Sequence, residues 1–288
     1  DYIDEFSKKN INVEIYDEKY FKFLLATDAV EKILEPNRLL IIVGIDAARK
    51  FFEKKYCLFP QEYIEFWEGE AFHQGVVDLL IEKMRTAAAK WDEVLVYYAE
   101  HRREITERIT QKRPRILFQT SRFTTAIQYH TRDVIRSAEK LGLDCYLFME
   151  DNPFGGFMGV DWQDSIWTFR PDVIFNIDHF RYESIGMPDS CAWVTWIQDP
   201  LPHIMNKGTP KRLGDRDFVV SQFRGYKEFD EVGYGEKDIM FSPVYASSDV
   251  YRPYELTGDE REQYGCDICM VCHAADVDEY IKVAQRKF

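Results

Sequence analysis

Five short polar clusters carry most of the side chains that could do chemistry, and each follows directly on an apolar run. They are Thr120-Ser121-Arg122-Phe123-Thr124-Thr125, Glu150-Asp151-Asn152, Asp178-His179-Phe180-Arg181, Gln198-Asp199-Pro200-Leu201-Pro202-His203 and Ser221-Gln222-Phe223-Arg224. Carboxylates and imidazoles can orient a substrate or move its protons, and a guanidinium can meet an anion. A chain leaving a core must turn polar, so any one cluster has that simpler explanation. Acids, imidazoles and guanidinium groups recurring at adjoining ends favour a ligand site.

Individual clusters allow sharper readings. In 120–125, hydroxyls and free N–H groups precede a predicted helix, with Arg122 beside them, as at an anion-binding helix start. The alternative is a threonine N-cap and nothing more. Neither G-x-G-x-x-G nor the P-loop lysine is present, which argues against an ordinary dinucleotide fold or a P-loop NTPase. Pro200 and Pro202 stiffen the turn that holds His203, which could act as a general base oriented by Asp199, or be a plain surface histidine. Gly155-Gly156 forms a loop that could cover a ligand or simply turn the chain. Cys266, Cys269 and Cys272 form C-x2-C-x2-C, and Cys269-Met-Val-Cys272-His273 matches a haem c attachment pattern. Haem c needs an exported setting, an iron–sulfur cluster wants a fourth ligand, and CDICMVCHA also alternates like a strand, so no cofactor is expected there. Cys57, Cys145 and Cys191 read as buried thiols.

The elements that must position these clusters are legible from the apolar runs themselves. Arg115–Thr120, Cys145–Glu150, Asp172–Asp178, Trp193–Asp199, Phe218–Phe223 and Ile239–Val244 are near-continuous apolar segments, as in strands buried on both faces of a parallel sheet. Helices are predicted over Thr125–Leu141 (stopped by Gly142), Asp161–Phe169 and Gly225–Val232. This rhythm predicts an α/β fold, a Rossmann-like doubly wound parallel sheet, in which ligands bind beyond the carboxyl ends of the strands. Before it, Arg38–Ile45 and Glu93–Tyr98 read as strands, and Ala71–Lys90 and Ala99–Gln111 as helices. The predicted division is an additional α/β region over 1–112, a Rossmann-like domain over 113–247 and the start of a second such domain over 248–288.

Composition narrows the function classes. Fifty acidic against 37 basic residues leave a net charge of −13, which disfavours nucleic acid or an anionic membrane as partner. No run approaches the ~18 apolar residues of a membrane span and no signal peptide is visible, so no integral membrane segment and a cytoplasmic location are expected. The sequence starts at Asp1 without methionine and stops inside the helical run Val277–Lys287. It is therefore expected to be part of a longer protein.

The pattern PDVIFNIDHFR…WVTWIQDPLPHI over Pro171–Ile204 resembles the amino-terminal half of GT-B glycosyltransferases. It is most similar to the spore-maturation CgeB-like group, related to the family-four enzymes. The likeness spans about Arg113–His273: Ser242-Pro-Val-Tyr-Ala246 is like the interdomain hinge, and Val250-Tyr-Arg-Pro253 is like the "F-x-P" element. Tyr264–Ala274 resembles the first strand of the second domain. The resemblance implies transfer of a sugar from a nucleotide-sugar donor to a hydroxyl on a glycan, protein or small-molecule acceptor. It implies metal-independent catalysis with no cofactor, the donor being a substrate. It places Ser121, Arg122, Thr124, Thr125, Asp151, Asp178, His179, Arg181 and Gln198 on the substrate-binding side. Gln198-Asp199 stands where family-four members often carry a His-Asp pair, which argues against a histidine there and leaves His203 as substitute beside Asp199 in the catalytic role. The chain would hold mainly the acceptor side and be a poor catalyst alone. The alternative is a non-catalytic α/β module that binds a small polar ligand.

Overall fold

The computed structural model describes residues 11–15, 39–53, 70–151, 159–184, 186–223, 225, 227–235, 239–243, 245, 247–249 and 252–265. Cys57, the Gly155-Gly156 loop, Arg224, the three carboxy-terminal cysteines with His273, and the run Val277–Lys287 lie outside them. So do Val244, Ala246, Val250 and Tyr251 of the hinge-like segment, and the predicted strand over 264–274 beyond Gly265. The chain divides into two compact units, Asp1–Val244 and Tyr245–Phe288.

The first unit opens with β1 (Ile11–Ile15) and β2 (Leu39–Val43), which pair in parallel. They are followed by helices α1 (Ile45–Phe52), α2 (Glu70–Glu100) and α3 (Arg102–Thr110). Then come β3 (Arg115–Gln119), α4 (Ile127–Lys140), β4 (Asp144–Phe148), α5 (Gly159–Phe169), β5 (Val173–Ile177), β6 (Ala192–Ile197), β7 (Asp217–Ser221), α6 (Lys227–Val232) and β8 (Ile239–Phe241). The last six strands form one all-parallel sheet in the order β4-β3-β5-β6-β7-β8. This is the predicted Rossmann-like α/β fold. Of the five connections within the sheet, three contain α-helices. The described parts of β5–β6 and β6–β7 hold only the 3-10 turns Arg181–Glu183 and Pro210–Arg212.

Side-chain alternation assigns the two faces. Phe118, Phe175 and Trp196 pack on one face in tilted and edge-to-face contacts, with ring centroids 5.2 and 6.3 Å apart. Helix α4 lies over this face, where His130 Nδ1 meets Gln198 Oε1 at 2.7 Å. The helix stops as predicted: Gly142 takes φ 78°, and the Gly142 and Leu143 amides donate to Glu139 and Ala138 carbonyls. The other face packs Leu117, Phe148, Ile174 and Trp193 against α2, α3 and α5 through Val94, Tyr98, Ile105, Trp162 and Ile166.

One predicted strand is helix instead. Glu93–Tyr98 is apolar and β-branched enough to read as extended, yet it is the carboxy-terminal part of α2. Val94 and Tyr98, four apart, are 1% and 0% exposed, whereas Leu95 and Val96 are 41% and 55% exposed. Burial there has the helical period, because the segment's buried stripe meets α5 and the sheet. Residues 70–110 thus share the sheet's own core. Arg108 locks α3 to it by donating to the fully buried Asp172, which also accepts from the Arg115 amide at 2.9 Å.

In the second unit, α7 (Gly258–Tyr264) begins with a capping box: Thr257 Oγ1 accepts from the Glu260 amide, and Glu260 accepts from the Thr257 amide. No helix among the described residues is long and apolar enough to cross a membrane.

Candidate functional site

In the order β4-β3-β5, the chain leaves β3 to one side and returns to the other, so the carboxyl ends of β3 and β5 flank the switch point at which open parallel sheets place their ligand crevice. Thr120 to Thr125 leave β3 there. Ser121 Oγ donates to Glu150 Oε1 at 2.9 Å, and the Arg122 amide donates to Glu150 Oε2 at 2.9 Å. Glu150, 3% exposed just beyond β4, is therefore the anion that this turn already holds. Thr124 Oγ1 accepts the Gln128 amide, and the Gln128 side chain donates back to the Arg122 carbonyl at 2.8 Å. The helix starts at Ile127, two residues later than predicted, with Ala126 at its cap. Thr125 and Asp151 are exposed, and Arg122 is half-buried.

The end of β5 is more constrained. Asp178 takes a left-handed φ of 60°, a conformation that aspartate tolerates better than most residues. Its Oδ1 accepts the amides of Gln198 (2.7 Å) and Asp199 (3.2 Å), so its side chain ties the end of β5 to the end of β6. Burial pushes the Asp178 carboxyl above its ordinary pKa, against the opposing pull of those two amides. His203 Nε2 meets the Asp178 carbonyl at 2.8 Å and Glu183 Oε1 at 3.5 Å. Asp199 is exposed and makes no hydrogen bond to His203 among the described residues. His179 is raised above its ordinary pKa by its 2.6 Å bond to Glu183. Arg181 turns away: its guanidinium donates to Asp217 and to the carbonyls of Pro188 and Cys191.

Four buried polar atoms at these strand ends have no hydrogen-bond partner: Thr120 Oγ1, Asp178 Oδ2, Trp196 Nε1 and Gln198 Nε2. Among the described residues only one other such atom exists, Trp162 Nε1 on α5. Orphaned buried polar groups are rare because each costs about 1–3 kcal/mol. Their concentration at the ends of β3, β5 and β6 makes this switch point the candidate site. The set offers two N–H donors, one carboxylate acceptor and one hydroxyl that can do either.

Asp178 and Gln198 were legible as site candidates. Thr120 was visible only as the first residue of its cluster, and Trp196 and His130 were not singled out, because a core tryptophan and a mid-helix histidine give no local signal. Their role follows from the sheet register, which puts Trp196 opposite Ile177 at the crevice edge. Glu150 stood in the cluster after β4 without being assigned a role, and Glu183 was hidden among many acids. Compared with protein-family models, with curated proteins and with solved structures, the chain finds no match, so its function rests on the geometry of this crevice.

Proposed function

We propose that this chain carries the acceptor side of a glycosyltransferase, which moves a sugar from a nucleotide-sugar donor to a hydroxyl acceptor. The observation that carries the reading is the orphaned quartet of Thr120, Asp178, Trp196 and Gln198 at the switch of the parallel sheet. A polyhydroxylated ligand both donates and accepts at each oxygen, so it can satisfy an acceptor and two donors together; a phosphate can satisfy only the donors. In this reading Asp178 Oδ2 accepts from a hydroxyl, while Trp196 Nε1 and Gln198 Nε2 donate. Arg122 meets anionic charge at the rim, and Asp199 and His203 position the acceptor.

The test is transfer or donor hydrolysis by the full-length protein across a panel of nucleotide sugars. Turnover with at least one donor supports the reading, and no turnover with no donor binding across the panel removes it. A second reading, a non-catalytic binding module, draws on the missing Asp199–His203 bond and on the commitment of His203 Nε2 to the Asp178 carbonyl. It predicts tight calorimetric binding of a small polyol without turnover of any donor.

A further inference from the structure

We propose that His179, Glu183 and His203 form a binding site for a borderline divalent cation of the zinc type. The site shares His203 with the glycosyl-transfer reading but stands on its own ligand geometry, and it differs from the metal-free chemistry implied by the family resemblance.

Three pieces of chain bring the ligands together. The left-handed Asp178 turns the chain out of β5 and presents His179. The 3-10 turn Arg181–Glu183 then returns Glu183 to His179, with Oε2 at 2.6 Å from Nδ1. The proline-stiffened turn after β6 supplies His203, whose ring lies nearly parallel to that of His179 at 5.9 Å and 19°. One ligating atom from each of the three lies within 4.8 Å of the others.

Two imidazoles and a carboxylate are the donor set that first-row divalent cations such as zinc take up. With ligands at about 2.0 Å in a tetrahedron, neighbouring donor atoms are about 3.3 Å apart. The observed contacts of 2.6 Å (His179–Glu183) and 3.5 Å (His203–Glu183) bracket that value. These two contacts use different Glu183 oxygens, so seating a cation needs side-chain shifts that bring one donor atom from each residue, now within 4.8 Å of one another, to that spacing. The Asp178 carbonyl oxygen, 2.8 Å from His203 Nε2, is close enough to act as a further oxygen donor. Binding at Nε2 exchanges the hydrogen bond to that carbonyl for a metal bond, and the ring then carries its one proton on Nδ1.

A second observation points the same way. The carboxylate of Asp178, the residue next to His179, is 1% exposed and keeps Oδ2 without a partner. It interacts electrostatically with His179, so a cation beside that ring also relieves an uncompensated buried acid. The side chains of His179, His203 and Glu183 are 64%, 37% and 27% exposed, which leaves water access to the remaining coordination positions. That is the three-ligand, open arrangement of a reactive metal site and not the closed four-ligand arrangement of a structural one.

The carboxy-terminal cysteines would compete for zinc, so the titration is made calorimetrically on the full chain carrying C266S, C269S and C272S. One zinc per chain is expected, and H179Q and E183Q should each weaken it by more than about tenfold, the loss that removal of even an outer-shell partner produces. H130Q, on the opposite face, should leave it unchanged. In the chain with its cysteines intact, the imidazole NMR signals of His179 and His203 should shift on addition of zinc. Absence of stoichiometric binding, binding undiminished by both H179Q and E183Q, or His179 and His203 signals that stay fixed, overturns the proposal.

Discussion

Asp178 carries two tasks on one carboxylate, and the two can be separated. Oδ1 holds the amides of Gln198 and Asp199, so in Asp178→Asn the amide oxygen must occupy that position. The new NH2 is then forced to the place of Oδ2, replacing an acceptor by a donor. Asp178→Asn is predicted to melt near the parent protein but to bind ligand at least about tenfold more weakly, as for a lost hydrogen bond to a charged group. Asp178→Ala strands both amides as well and should cost about 2 kcal/mol of stability, measured by urea denaturation. Thiol reactivity tests the burial of the neighbouring strands. Burial pushes Cys191 up to about 12 and Cys145 up to about 11. Both folded-state values lie above the ordinary thiol, so at pH 8 each is almost wholly protonated and unreactive. Peptide mapping after native iodoacetamide treatment at pH 8 should find neither alkylated, and labelling of Cys145 should rise only as the pH approaches 11. At this scale the sequence was informative where residue type restricts role: an acid at a strand end, or an imidazole behind two prolines. It was silent on which oxygen of Asp178 is satisfied, because that depends on backbone amides from another strand.

The elements were legible where periodicity and stop signals agree. The central strands β5 and β6 run as continuous apolar segments because both faces are covered, and Gly142 ends α4 because it takes the left-handed φ that the helix end requires. Glu93–Tyr98 misled because composition and period disagree there, and the packing of α2 on α5 decides for the helix. This is checkable with two valines. In a strand Val94 and Val96 would share a face, whereas on α2 they diverge, at 1% and 55% exposure. Val94→Ala is predicted to cost about 2 kcal/mol, and Val96→Ala to stay within about 0.5 kcal/mol. Equal costs would contradict the helix. Helix α3 is held by a different device, the Arg108–Asp172 pair. Arg108→Ala leaves a buried carboxylate with only the Arg115 amide and should cost about 3 kcal/mol in the same denaturation experiment.

Across the whole molecule, the strand order creates the site. Because β3 has β4 on one side and β5 on the other, the loops leaving β3 and β5 part and expose a crevice, which the nearby end of β6 lines with Trp196 and Gln198. A sequence can announce parallel strands through their spacing, but their lateral order is set by how helices cover each face, so the crevice's membership was only partly legible. The clusters after β3, β5 and β6, Thr120 among them, were visible in advance; the tryptophan that completes the orphaned set was not. The same order explains why Glu150 and Arg181 are used internally, one bracing the turn after β3 and the other anchoring the connection between β5 and β6. The central claim is that this crevice takes a polyhydroxylated ligand, and two of its donors carry protons that NMR sees directly. In a nitrogen–proton correlation spectrum of the labelled full chain, titrated with nucleotide sugars and free sugars, the Trp196 indole and Gln198 side-chain amide signals should move together with at least one ligand. They should stay in place when the same titration is made on Asp178→Asn. If both signals remain fixed across the panel, or if ligand binding moves other regions and spares them, the crevice is not the site.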